Sequence, residues 1–217
     1  MTQAGKLRFS GRIAEVGPGD KCGVTLLMLA DGAERVDLVD RFYSKRVLKQ
    51  QERIIAALIA ETPALANFAS LPREEDIHRV WRHYGQRALA ELPFLDNRGY
   101  DFIVSRAFME HVTNPVLSLR RMYDALNPDG TTIHKVALPD HGIFTGYGFP
   151  VLKFMDIPTA LYSLMTGGSP YPNRVPLSRY RDALPGRRII VADLVGLGAI
   201  EKPKRYEVID PKCRSFC

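Results

Sequence analysis

The sequence predicts an α/β protein built on a doubly wound, mostly parallel β-sheet. Two observations carry the prediction. Short apolar runs alternate with amphipathic segments of helical period between residues 12 and 137. The first run closes on an acid and a glycine turn, Glu15-Val16-Gly17-Pro18-Gly19, and the second closes on another acid, Asp40. A strand, glycine turn, helix and strand in that order suit a nucleotide-like ligand. Gly17 and Gly19 let the backbone turn sharply and admit a ligand where a Cβ would block it. An acid ending the second strand accepts hydrogen bonds from both hydroxyls of a ribose.

Each element has its own local reason. Residues 12–16 read as strand one. Residues 20–30 form a first helix, almost wholly apolar through Val24, Leu26, Leu27, Met28 and Leu29, with Gly32 as its stop. Residues 35–40 are strand two. Ser44 caps a second helix whose Val47, Leu48, Ile54, Ile55, Leu58 and Ile59 share one face; Pro63 ends it, and residues 62–76 read as loop. Residues 79–84 make strand three, charged on both faces as an edge strand is. Residues 100–105 have the apolar run of a buried parallel strand. Asn114 and Pro115 open a helix with a cap and a first-turn proline, carrying Val116, Leu119, Met122, Tyr123 and Leu126 inward. Pro128-Asp129-Gly130 turns the chain into strand five at 131–137. Residues 187–195 read as a sixth strand, whereas 207–217, with Pro211 and four charges, does not make a central strand. The prediction is one domain over residues 1–217, with 138–183 as a lid insertion on the substrate side and 205–217 as an irregular tail.

Composition narrows the function classes. The 217 residues suffice for one well-buried domain, and 46% hydrophobic with 25% charged residues is an ordinary globular profile. The first ten residues lack the apolar core of a signal peptide. The apolar stretch 148–168 is interrupted by Lys153, Asp156 and Pro158, so a spanning helix is not expected. Within it, 149–165 reads as a buried lid helix because its flanks lack a basic cluster, with a membrane-surface helix as the alternative. Cys22, Cys213 and Cys217 form no disulfide framework, which favours a reducing, cytoplasmic setting. Cys213 and Cys217 have no histidine or second cysteine pair nearby, and no metal site is expected. The net charge of +6 is spread over 45–53, 79–87 and 174–188. Nucleic acid is therefore not the expected partner, while a small anionic substrate is compatible.

The glycine pattern alone fits two ligand classes. A dinucleotide fingerprint wants its third glycine at position 22, which is Cys22, with Gly23 one residue late; an NAD-binding oxidoreductase stays as an alternative. Ala14-Glu15-Val16-Gly17-Pro18-Gly19 resembles instead the first motif of class I S-adenosylmethionine-dependent methyltransferases. Leu92-Pro93-Phe94-Leu95-Asp96-Asn97, Tyr100-Asp101-Phe102-Ile103-Val104-Ser105 and Met109-Glu110-His111-Val112 resemble the fourth-strand region of that superfamily. Leu126-Asn127-Pro128-Asp129-Gly130 follows as its turn into strand five.

The resemblance implies a Rossmann-like sheet of order 3-2-1-4-5 with the Gly17 turn at the topological switch point, and S-adenosylmethionine as cofactor. It places Gly17, Pro18 and Gly19 at the methionine part of the cofactor, with Glu15 organising the loop. Asp40 and Arg41 fall at the ribose, and Gln86 and Arg87 at the adenine, where many relatives carry an acid. Ser105 and Arg106 lie against the cofactor. The Glu110-His111 pair either orders its loop or faces the substrate. Past strand five, Asp140-His141 sits where ligands meet open α/β sheets. His141 is the expected general base for a hydroxyl acceptor and Asp140 the residue holding its imidazole; a histidine satisfied within its loop is the alternative. The segment 169–180 resembles one found in bacterial methyltransferases from polysaccharide-related neighbourhoods. In it Asn173 and Arg174 either contact the acceptor or tie down a lid. Methyl transfer to a small, sugar-like hydroxylated acceptor follows, a displacement that requires no metal or covalent nucleophile. The superfamily's helices before strand one and its strand seven have no good candidates here, so a truncated fragment or a catalytically inactive binding protein is the competing expectation.

Overall fold

The computed structural model describes residues 8–19, 23–40, 48–68, 80–84, 99–142, 144–150, 152–166, 172–185, 190–191 and 207–208. The chain, expected as one domain, divides into two compact units: residues 1–109 with 121–136, and residues 110–120 with 137–217. The lid segment 138–183 falls within the second.

In the first unit, β1 (Gly11–Val16), β2 (Ala33–Asp40), β3 (Val80–Tyr84), β4 (Tyr100–Arg106) and β5 (Leu126–Lys135) form one sheet. Its order is β3-β2-β1-β4-β5 and every pairing is parallel. This is the predicted Rossmann-like order. Strand β1 is central, and the chain winds to one side through β2 and β3 and to the other through β4 and β5, which makes the end of β1 the switch point. Helix α1 (Gly23–Asp31) buries Thr25, Leu26, Met28 and Leu29 and leaves Val24 and Leu27 exposed. With Ile13, Ala33, Val36, Leu38, Leu65 and Phe102 these side chains make the core, and Ile55, Leu58 and Ile59 of α2 (Leu48–Glu61) pack against it.

Two local expectations are corrected here. Residues 63–68, read as loop, form a 3-10 turn, Pro63–Phe68, with Leu65 buried. Proline ends the α-helical ladder, but the tighter three-residue bond needs no donor from it: the Leu65 amide donates to the Thr62 carbonyl at 2.9 Å. Strand β5 begins at Leu126 instead of after Gly130 and ends at Lys135. Leu126 already pairs with Tyr100, and Asn127–Gly130 is absorbed as an irregularity before Phe102 pairs with Thr131. Gly130 makes this possible, because a Cβ there would stand 2.8 Å from the Tyr100 carbonyl oxygen.

Helix α3 (Pro115–Asp124) is capped as predicted, the Asn114 Oδ1 accepting from the Leu117 amide at 3.0 Å. Its residues fall in both units. The second unit also holds 3-10 turns at Thr145–Tyr147 and Lys153–Asp156 and helices α4 (Thr159–Thr166) and α5 (Leu177–Arg181). There β6 (Ile190–Val191) and β7 (Glu207–Val208) pair antiparallel as a separate ribbon. The tail expected to be irregular thus contributes one short strand. No helix among the described residues is long and apolar enough to cross a membrane.

One polar cluster lies inside the first unit's sheet. The fully buried Asp37 carboxylate on β2 pairs with Arg12 of β1 at 2.7 Å and with Arg35 at 2.8 Å, and accepts from the Tyr100 hydroxyl of β4 at 2.8 Å. Arg12 also lies over the Tyr100 ring, 4.4 Å from its centroid. Burial, reinforced by the bond to Asp37, pushes the Tyr100 phenol well above its ordinary pKa. Removing one partner of a buried pair leaves the others uncompensated. Asp37→Ala should therefore lower stability by about 3 kcal/mol, read as a shifted midpoint in urea unfolding; an unchanged midpoint would show that the cluster is energetically idle.

Candidate functional site

The cofactor-binding candidates of the first unit converge at the carboxyl ends of three adjacent strands. Val16 is in register with Val39 of β2 and with Ser105 of β4. The next residue, Gly17, donates its amide to the Val39 carbonyl at 2.8 Å. Gly17 and Gly19 both have left-handed backbone, φ +72° and +64°. A Cβ on Gly17 would also meet the Phe108 side chain, its Cβ and ring edge, at 3.0–3.3 Å, so glycine is needed on two counts. Among the described residues nothing lies within 4 Å of a Cβ built at Gly19, which is exposed. Pro18 is half-buried between the two glycines. Glu15, buried at the end of β1, accepts a hydrogen bond from the Thr25 hydroxyl of α1 and so ties the strand to the helix that follows the turn. Asp40 is half-buried at the end of β2.

Ser105 is buried and bound to a histidine of β5. Its Oγ lies 2.7 Å from Nδ1 of His134, whose Nε2 is hydrogen-bonded to Thr132 Oγ1. The Thr132 hydroxyl donates to the Ile103 carbonyl at 3.2 Å. Its proton thus engaged, Thr132 accepts from His134 Nε2–H, and Nδ1 in turn accepts from the Ser105 hydroxyl. In this arrangement the imidazole is neutral, the form that burial favours. Burial pushes the His134 pKa down to about 4. The signal is a histidine in β5 directly across from Ser105, the next-to-last residue of β4. Arg106, next along, is exposed. Arg41, Gln86 and Arg87 lie outside the described residues.

The second unit holds a different constellation. Glu110 is buried, with Oε1 accepting from the Ala137 amide at 3.2 Å and lying 3.9 Å from His141 Nε2. The rings of His111 and His141 stand edge to face, centroids 5.1 Å apart. His141 has a left-handed φ of +55°. Asp140, also buried, accepts from the amides of Gly142 and Phe144 and so holds the turn on which His141 sits. The carboxylate found beside the His141 imidazole is Glu110, a pairing across 31 positions that no local motif signals.

Asn173 and Arg174 are tied into the same unit. The Asn173 amide donates to the Glu110 carbonyl at 2.7 Å and its side-chain amide to the Val112 carbonyl at 2.8 Å. Arg174 points its guanidinium at the carbonyls of Phe154 and Ile157 and at Thr159 Oγ1, and stacks on the Tyr162 ring at 4.2 Å. All of these contacts are made within the second unit. Burial pushes the nearby Tyr180 phenol up to about 12.

The neutral His134 has a measurable consequence. In the unfolded chain the imidazole titrates near 6.5 and in the folded chain near 4. As pH falls through that window the unfolded chain gains a proton that the folded chain refuses, so stability drops with pH, by about 3 kcal/mol in full. His134→Gln should remove this part of the acid loss when urea unfolding is compared between pH 7 and pH 4. An identical slope in both proteins would exclude the buried neutral imidazole.

The family described as a methyltransferase domain matches residues 2–176. No curated protein matches the chain. Among solved structures, the YcgJ protein from Bacillus subtilis is similar at 16% identity and a TM-score of 0.45, over 82% of this chain and 61% of that one. DhpI, solved as a complex with SAM and HEP, is similar at 17% identity and a TM-score of 0.35, over 67% of this chain and 54% of that one. The chain thus spans less than two thirds of the length of either. With its glycine turn and fourth-strand motifs inside the matched region, the chain belongs to the methyltransferase-domain family of class I S-adenosylmethionine-dependent enzymes.

Proposed function

We propose that this chain transfers the methyl group of S-adenosylmethionine to a hydroxyl of a small, sugar-like acceptor. The observation that carries the reading is the meeting of the Gly17 turn, Asp40 and Ser105 at the carboxyl ends of β1, β2 and β4. In this reading Gly17, Pro18 and Gly19 pass under the methionine part and Asp40 accepts from the ribose hydroxyls. Ser105, held by His134, offers an acceptor oxygen to the cofactor. Arg106 belongs to the same surroundings in this reading; Arg41, Gln86 and Arg87, which the sequence resemblance adds to them, lie outside the described residues. A reducing, cytoplasmic setting fits an odd set of three cysteines, Cys22, Cys213 and Cys217, with no disulfide framework.

Methyl transfer to oxygen forms a carbon–oxygen bond as the carbon–sulfur bond breaks. S-adenosylhomocysteine leaves neutral, and the hydroxyl proton has to be removed. His141 of the second unit is the residue proposed to handle that proton. The Glu110 carboxylate stands beside its ring, and Asp140 fixes its turn.

Isothermal titration tests the cofactor half: S-adenosylhomocysteine should bind and NAD should give no heat, the reverse result restoring the oxidoreductase. Asp40→Ala should weaken S-adenosylhomocysteine by about 1–3 kcal/mol, through lost acceptors for the ribose hydroxyls. In a screen of hydroxylated sugars, His141→Ala should cut turnover by about 10²–10⁴-fold and leave cofactor affinity unchanged. Wild-type turnover in that variant would leave alignment alone as the source of rate.

A further inference from the structure

We propose that Glu110, His111 and His141 together bind one divalent transition-metal cation. One ligand atom from each of the three residues lies within 4.8 Å of the others. Metal–nitrogen and metal–oxygen bonds of about 2.0–2.2 Å bring such atoms to roughly 3–3.5 Å from one another, so the triangle has to contract by about 1 Å. The exposed His141, on its turn, is placed to make that movement, while the buried Glu110 is held by the Ala137 amide.

A second observation points the same way. Glu110 Oε2 is buried with no hydrogen-bond partner among the described residues. A carboxylate oxygen removed from water without a donor is costly, and a cation is the partner that offsets the cost most directly. The backbone is shaped for the arrangement as well. His141 keeps a left-handed φ of +55°, which the Asp140 carboxylate maintains by accepting from two amides of the same turn. Strain kept up by its surroundings is a mark of functional positions. Asn173 holds Glu110 from the other side through the Glu110 carbonyl.

Two imidazoles and one carboxylate favour zinc, manganese or cobalt over magnesium or calcium, which take mainly oxygen donors. Three protein ligands on a cation leave further positions open for an acceptor oxygen. Here the inference rests on the proposed function: the cation would lower the pKa of a bound acceptor hydroxyl, its proton would pass to water, and the resulting oxygen would take the methyl group. In place of the base role given above, His141 would then be a ligand of the cation and would not itself take the proton. This replaces the sequence expectation that no metal is bound.

The test is direct binding to the full chain after dialysis against a chelator. Co²⁺ should bind one per chain with a visible ligand-field spectrum, and Zn²⁺ should displace it. Glu110→Gln and His141→Ala should each weaken uptake by about 10-fold or more, with far-UV circular dichroism unchanged. Wild-type chain that takes up no Co²⁺, or that binds it as well after either substitution, overturns the proposal. If a variant fails to fold, the wild-type stoichiometry and spectrum still decide it. S-adenosylhomocysteine is titrated on the same wild-type samples. Binding of S-adenosylhomocysteine without Co²⁺ sinks the metal site and spares the proposed function; Co²⁺ binding without S-adenosylhomocysteine does the opposite.

Discussion

The first unit depends on a single buried carboxylate. Asp37 ties Arg12 of β1, its own neighbour Arg35 and Tyr100 of β4 into one cluster that crosses three adjacent strands. In a sheet a slip of one residue exchanges the two faces. Here such a slip would also carry Asp37 away from Arg12 and Tyr100 and strand a charge in the core. The register held this way sets Val16 level with Val39 and Ser105. The Gly17 turn, Asp40 and Ser105 then reach the same end of the sheet. Positioning of the candidate cofactor site is thus a consequence of electrostatics several residues back along the strands.

Left-handed backbone recurs at candidate site positions, and at Gly17, His141 and Arg174 a nearby bond holds it. Gly17 is left-handed and its amide is fastened to Val39. His141 is left-handed on a turn that Asp140 caps, and Arg174 is left-handed beside Asn173, whose Oδ1 accepts from the Val175 amide at 3.2 Å. Left-handed conformations at non-glycine residues cost of order 1–3 kcal/mol and persist only where surrounding contacts over-determine them. Asp140 accepts from the amides of its own turn, and Asn173 bonds the Glu110 and Val112 carbonyls, so both help to hold the neighbouring backbone in place.

Much of the fold was legible because its signals are local. Apolar runs at strand length, the Gly17 turn and the Asn114-Pro115 cap each depend on a few consecutive residues, and the sheet order followed from motifs lying in sequence order. The errors were local competitions of another kind. Pro63 ended a helix as expected but began a 3-10 turn, and Gly130 let β5 start early around an irregularity.

The candidate site was legible only on its cofactor side. The glycine turn and strand-end acid announce themselves by position, since a strand's end and a tight turn are properties of adjacent residues. Pairings between distant residues were decided by tertiary structure alone. Nothing local places Glu110 beside His141, His134 against Ser105, or the Arg174 guanidinium against the carbonyls of Phe154 and Ile157. Sequence by itself determined the sheet and the ligand class it suits. Only the folded chain decided which polar groups meet, because a hydrogen bond or ion pair depends on separations of a few ångströms that sequence distance does not encode.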